Sequence, residues 1–509
     1  MSRTTASSTN TSSYWRTANP LPQFPRLDHD GNVDVVVVGG GLAGLTAAYL
    51  LTTAGKRVAV LERDRCGQID TGSTTAHLTM VTDTLLSELV ARFSRDHAQA
   101  AWDAGLAAIE QVASIVHERR IDCAFARVDG YLHAPRVPTV EPPDLEAQAR
   151  LARDLGFDAT YQLEVPGLGR PGVRYANQAR FQPLQYLAGL AEAIVAGGGR
   201  IHEQSAVETF STDPLRVGVN GVTLTCDDIV LATHNPLVGV SGTISASVFQ
   251  TKLALYTSYV VAGRVPRGTL PDALFWDTND PYDYVRVQPD GDDDLVIYGG
   301  EDHKTGQEAT VHQHHDRLQQ RLAALVPGVV VTHRWSGQVI ETPDGLPYIG
   351  PSADHQYVAT GFSGNGMTFG TLGAMLISDA ILGRRNPWAE LFEPGRSALR
   401  HAAWEYLKEN ADYPYYMLRQ RIAGAPRSSI DTIARGQGQV VERDGQKIAA
   451  YRADDGAVTM RSAVCPHLGC LVGWNDAERT WDCPCHGSRF TPEGAVIAGP
   501  AESPLAEAE

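Results

Sequence analysis

Positive charge is scarce in this chain. Forty-three Lys and Arg stand against 59 Asp and Glu, for a formal net charge of −16. Such a surface repels nucleic acid and anionic lipid, which argues against either as a partner. No secretory leader is expected. The N-terminal "MSRTTASSTNTSSYW" is polar, with no apolar core and no twin-arginine pair. Only one long apolar run occurs, Val33–Leu51, and glycines interrupt it. No membrane span is therefore expected, and the expected location is the cytoplasm. Cysteines are few. Cys66, Cys123 and Cys226 are scattered, the pattern of idle or buried thiols in a reducing compartment. The other four crowd into "CPHLGC" (Cys465–Cys470) and "CPCHGS" (Cys483–Ser488), and such a cluster needs a chemical reason.

At 509 residues the chain is too long for one ordinary core, and two or three domains are expected. Its front opens on "VDVVVV", a β-branched run suited to a strand buried on both faces. "GGGLAG" follows at once, with Gly39, Gly41 and Gly44 in a G-x-G-x-x-G pattern. A helix then runs to about Gly55, and a second strand ends at Glu62. The first glycine makes the tight turn, the second admits a pyrophosphate, and the third lets helix pack on strand. The helix N-terminus offers N–H groups to the phosphates, and Glu62 offers a carboxylate to a ribose. No second glycine fingerprint for a nicotinamide follows, which favours FAD. Ser73, Thr74, Thr75 and His77 form a small polar loop suited to phosphate or flavin. Further on come a strand ending in "ATHNP", the segment "RWSGQVIETPDGLPYIG" and the loop-helix "TGFSGNGMTFG".

These segments resemble the D-amino-acid oxidase/glycine oxidase superfamily of FAD-dependent oxidoreductases. The resemblance implies a Rossmann-type FAD domain with an inserted α+β substrate domain, mostly Met80–Gly172 and Thr251–Arg334. It implies FAD contacts at Gly39, Gly41, Leu42, Ala43, Gly44, Glu62, Arg63, Thr74, Thr75, Val207, Gly361, Gly364, Gly366 and Met367. Some relatives hold flavin through a cysteine, but Ser363–Met367 contains none, so non-covalent FAD is expected. His77, Lys252, Tyr256 and Asn365 are candidates for catalytic groups near the flavin. Leu85–Arg120 reads as an ordinary packed helical region.

Residues 386–430 read as a structured connector with a helix at Ser397–Glu409. Beyond it, alternating apolar and polar residues with turns at Asp444-Gly445 and Asp454-Asp455-Gly456 predict antiparallel β structure. The Cys465-x-His467 and Cys483-x-x-His486 pairs offer two sulfurs and two nitrogens, enough for tetrahedral zinc. Each box carries one more cysteine, which argues against zinc. The pattern resembles a Rieske [2Fe–2S] domain. That resemblance implies Cys465 and Cys483 on one iron, His467 and His486 on the other, and a Cys470–Cys485 disulfide tying the loops together. "GPAESPL" (Gly499–Leu505) resembles the third, proline-containing loop of that domain. Phe490 stands where the Rieske domains of highest potential carry tyrosine. A middle value in the range of about −150 to +300 mV is expected. The histidine edge is expected at an exposed tip.

The expected organisation is an N-terminal extension (1–30), an α/β Rossmann-type FAD domain with its inserted α+β domain (31–385), the connector (386–430) and a C-terminal all-β Rieske domain (431–509). The expected function is oxidation of a small amine- or hydroxyl-bearing substrate by FAD, with electrons leaving singly through the cluster, to a soluble electron-transfer partner. A non-catalytic FAD/Rieske electron carrier or redox sensor is the alternative. Little chain follows His486, so the mononuclear-iron domain of a ring-hydroxylating oxygenase is not expected. The run His312–Asp316, "HQHHD", is not expected to bind metal.

Overall fold

The computed structural model describes residues 9–18, 21–235, 253–308, 310–396 and 430–508. Lys252 and the expected helix Ser397–Glu409 lie outside them. The four valines Val35–Val38 are fully enclosed and form the centre of a six-stranded sheet. Its strand order is Tyr348–Ala353, Gln356–Thr360, Asp228–Leu231, Val35–Val38, Val58–Leu61, Arg200–His202. All pairings are parallel except the first. Strands buried on both faces need apolar residues at every position, which is why "VVVV" and "VAVL" read as runs and not alternations. The helices Leu42–Thr53 and Gly366–Ile381 lie side by side over this sheet.

A nine-stranded mixed sheet stands next to it. Its longest strands, Ala254–Pro266, Asp293–Lys304 and Val330–Glu341, pair antiparallel. The strands Ala126–His133 and Gly172–Arg180 belong to this sheet too. The helix Arg95–Arg119 instead packs chiefly against Gly366–Ile381 of the FAD part. Within Met80–Gly172, the strand Ala126–His133 thus joins the large sheet while the helix Arg95–Arg119 packs on the FAD part. The buried residues Ala98, Trp102, Ile109 and Val112 of the helix Arg95–Arg119 recur at helical spacing and make one apolar stripe, in which Trp102 packs on Phe157 and Tyr175.

The polar N-terminus is structural. Trp15, in the short helix Tyr14–Ala18, is completely buried and donates to the Thr74 carbonyl at 2.6 Å. Arg16 donates to the Ile69 carbonyl and to Ser73 Oγ. The extension therefore clamps the Ile69–Thr74 loop from behind.

The C-terminal part is two small antiparallel sheets, Gln437–Ser462, as the alternating pattern predicts, and Gly473–Ala498, as an all-β Rieske domain implies. Among the described residues, no helix is long and apolar enough to cross a membrane.

Candidate functional site

The glycine turn is shaped by close backbone approaches. Gly39 has φ +108°, and a Cβ there would stand 2.5 Å from the Ala232 carbonyl oxygen. The amide of Leu42, first in the helix, donates to Thr71 Oγ1 at 3.1 Å. Glu62 closes the second strand. Its Oε2 accepts from the Gly40 amide at 2.8 Å and its Oε1 from the Asp64 amide at 2.9 Å. Burial nonetheless holds its carboxyl above the usual range.

From this turn one continuous cavity of about 1180 Å³ runs through the molecule. Gly39, Gly41, Leu42, Ala43, Glu62, Arg63 and Val207 line one end. Thr74 and Thr75 lie in its wall, and Gly364, Gly366, Met367, His77, Tyr256 and Asn365 line it too. Two expected contacts fall outside. Gly44 packs beneath the turn, and Gly361, at φ +73°, faces Thr342. Both shape the backbone and do not line the cavity.

Two candidate catalytic groups are already engaged. His77 Nε2 donates to the Val285 carbonyl at 3.3 Å, which leaves Nδ1 to accept from Thr75 Oγ1 at 3.0 Å. Burial, with the Arg286 charge behind it, pushes His77 down to about 3. It is neutral, and both ring nitrogens are occupied. Asn365 accepts from the Asp83 amide and donates to the Val81 carbonyl, which pins that loop.

The groups with chemistry to offer went unread in the sequence. Ser258 Oγ donates to Asp302 Oδ1, and Tyr284 OH lies 2.6 Å from the same Oγ. Tyr282 OH donates to Asp83 Oδ1 at 3.0 Å. All five residues line the cavity. Burial pushes Asp302 up to about 7 and holds Asp83 above the usual carboxylate range. Arg286, fully enclosed, donates to the carbonyls of Thr75, Ala76 and Phe181 and so holds the loop that carries His77.

At the C-terminal end, Cys465 and Cys483 are each 1% exposed, and their thiols hydrogen-bond each other. That bond, with the amides of His467 and Leu468 and the Ser488 hydroxyl aimed at its sulfur, draws Cys465 down to about 7. The amides of Cys485 and His486 point at Cys483. The rings of His467 and His486 lie 4.8 Å apart, and burial lowers both to about 4. Two adjacent buried thiols and two neutral imidazoles suit a cluster with sulfur on one iron and nitrogen on the other. A Cys470–Cys485 disulfide ties the two loops. The exposed histidine tip is not observed: His486 is only 9% exposed, and His467 is half-buried. The second cluster loop is seated on the large sheet. Gln307 Nε2 donates to the Pro484 carbonyl at 3.0 Å, and Gln338 Nε2 to the Gly487 carbonyl at 2.8 Å. Gln338 and its neighbours Gly337 and Val339 also line the cavity.

The "HQHHD" run opens the helix His312–Leu325. His314 pairs with Glu301, and His312 with Asp476 across the domain boundary. Among the described residues, three cysteine sulfurs crowd together in the two cluster loops, Cys470, Cys483 and Cys485, but Cys470 and Cys485 are joined in the disulfide and offer no thiolate to a metal.

Residues 34–380 match the FAD dependent oxidoreductase family DAO. The chain belongs to that family. Residues 426–509 of this flavoenzyme match the Rieske [2Fe-2S] domain, so it carries FAD and a [2Fe–2S] cluster. It is 33% identical over 497 residues to the Rieske 2Fe-2S iron-sulfur protein YhfW of Bacillus subtilis, covering 97% of this chain and 96% of that one. It is 26% identical to the gamma-glutamylputrescine oxidoreductase of Escherichia coli, over 74% of this chain and 89% of that one. The glycine oxidase structure from Geobacillus kaustophilus shares its fold, with a TM-score of 0.60 at 19% identity, over 72% of this chain and 99% of that one.

Proposed function

We propose that this flavoenzyme oxidises a small amine-bearing substrate and passes the electrons singly through its Rieske cluster to a soluble cytoplasmic acceptor. One observation carries the reading. A single cavity joins the dinucleotide turn to the Ser258–Tyr284–Asp302 group, and its wall at Gln338 also holds the second cluster loop. FAD would lie along Gly39–Ala43, Glu62, Arg63, Thr74, Thr75, Val207 and Gly364–Met367. Cys465 and Cys483 would hold one iron, and His467 and His486 the other. When bound, FAD supplies a hydride acceptor and the cluster a one-electron carrier.

The chain supplies binding and proton handling. An amine reaches the site as ammonium and must lose a proton before its lone pair can assist oxidation. Asp302, raised to about 7, is matched to that task near neutral pH. Ser258 spends its proton on Asp302, so Tyr284 donates to Ser258 and the Asp302 oxygen is oriented from behind. Below about pH 7 Asp302 is protonated and cannot accept. Flavin reduction is therefore expected to rise with pH up to about 7 and then level off. Asp302→Asn should flatten that limb and slow reduction by about a hundredfold, the low end of general-base effects. An unchanged pH profile in Asp302→Asn would remove Asp302 from the role.

The function itself is tested by anaerobic mixing with a panel of amines and alcohols, following flavin and cluster absorbance separately. Flavin bleaching followed by cluster bleaching supports the proposal. A flavin reduced only by a redox protein, and by no small molecule, would make the chain an electron carrier. Because Ser363–Met367 contains no cysteine, acid precipitation should leave the yellow flavin in the supernatant. Colour retained in the pellet would contradict non-covalent binding.

A further inference from the structure

The dinucleotide end of the cavity is built by two domains. Beside Glu62, Arg63 and Val207, its wall includes Ile497 and Ala498 at the end of the strand Val496–Ala498, and Gly499, Ala501 and Glu502 from the third loop of the Rieske domain that follows it. Arg63, next to the acid at the end of the second strand, donates through Nη2 to the Ile497 carbonyl at 2.6 Å.

The shape of that loop is in turn set by the cluster loops. Gly499 has φ +94°, and a Cβ there would stand 2.6 Å from Ser488 Cα and 2.8 Å from the Gly487 carbonyl oxygen. The Ala501 amide donates to Ser488 Oγ at 3.1 Å, and Ser488 is fully enclosed. The same hydroxyl hydrogen-bonds the Cys465 sulfur, and the Cys483 amide donates to the Ser488 carbonyl at 2.8 Å. A continuous set of contacts thus runs from both cysteines through Ser488, Gly499 and Ala501 to Ile497 and Arg63.

We propose that the third loop of the Rieske domain completes the adenosine end of the FAD site, so that FAD is held tightly only when the cluster is loaded. A metal bound at Cys465 and Cys483 fixes both sulfurs, and with them Ser488. Loss of the metal frees the two thiols, lets Ser488 and the third loop shift, and opens the wall beside Arg63. Linkage makes the effect reciprocal: bound FAD should strengthen the hold on the cluster by the same factor. Such coupling would keep the flavin out of a protein that cannot yet pass its electrons on. The inference rests on the FAD and cluster sites and is independent of the substrate.

The test is the rate of FAD release on dilution into flavin-free buffer, read by the fluorescence of free flavin. It compares the parent with Ser488→Ala and with cluster-free Cys465→Ser. Ser488→Ala removes the acceptor for Ala501 and leaves all four metal ligands in place, so its visible cluster spectrum should persist. Its FAD release should be about tenfold faster, equivalent to ~1.4 kcal/mol. Cys465→Ser should release FAD faster still, and saturating FAD should restore its flavin circular dichroism. Release at the parental rate in both variants would overturn the proposal. Release accelerated only in Cys465→Ser would overturn the role of the third loop, since loss of the whole domain would then be enough to explain it. If Cys465→Ser does not rebind FAD, thermal bleaching of the parent cluster with and without bound FAD decides the coupling, and identical bleaching in the two would overturn it.

Discussion

Gly44→Val should give a protein without flavin colour. A Cβ at Gly44 would lie 2.0 Å from the Gly39 carbonyl oxygen and 3.1 Å from its carbon. Both are backbone atoms of the turn itself, so no side chain can move to relieve the clash. The helix Leu42–Thr53 must lift off its strand, carrying away its first turn, whose Leu42 and Ala43 line the cavity. Two further methyl groups next to Val37 worsen the fit, since overpacking of this kind costs about 1–3 kcal/mol even where relaxation is available. FAD affinity should fall at least a hundredfold, about 2.8 kcal/mol, measured by flavin absorbance after gel filtration. The cluster should still assemble, because its four ligands sit in a separate β unit, but it should be held less firmly once the flavin is gone. A Gly44→Val protein that keeps a stoichiometric flavin would show that the helix does not need its close seat on the turn.

The four clustered cysteines should divide into two pairs. Cys465→Ser and Cys483→Ser should each abolish the cluster, since each removes a thiolate from an enclosed two-thiol site. Cys470→Ser and Cys485→Ser break only the loop-to-loop disulfide. They should assemble a cluster that bleaches sooner on warming. Iron and sulfide content per chain, with a thermal bleaching curve, reads both effects. Equal loss in all four variants would argue for a four-cysteine metal site and against the two-sulfur, two-nitrogen assignment. Disulfides of this kind stabilise by typically 2–4 kcal/mol, enough to shift bleaching without preventing assembly.

Both predictions rest on features legible in the sequence, for one physical reason. A strand, a tight turn and a helix N-terminus are made by neighbouring residues, so spacing alone encodes them. Gly39, Gly41, Gly44 and Glu62 act within one β–α–β unit. The cysteine and histidine pairs likewise sit on loops only a few residues long, where chain geometry brings ligands together whatever the rest of the molecule does. The antiparallel strands around Asp444-Gly445 and Asp454-Gly456 were readable for the same reason.

Sequence by itself therefore determined the two cofactor modules and their order along the chain. Only tertiary structure decided what surrounds and connects them. Ser258, Tyr284 and Asp302 come from three strands and meet through sheet register; Gly299, opposite Tyr284, leaves room for that ring, since a Cβ there would lie 2.2 Å from it. Trp15 looked like part of a polar tail until the Thr74 carbonyl gave its indole a buried partner. The half-burial of His467, the near-complete burial of His486, the hold of Gln338 on Gly487 and the reach of Arg63 to Ile497 join residues more than a hundred positions apart. No periodicity or motif records such encounters. They are set by how two finished surfaces pack, where the apolar area and the unsatisfied carbonyls of one domain meet their complements on another.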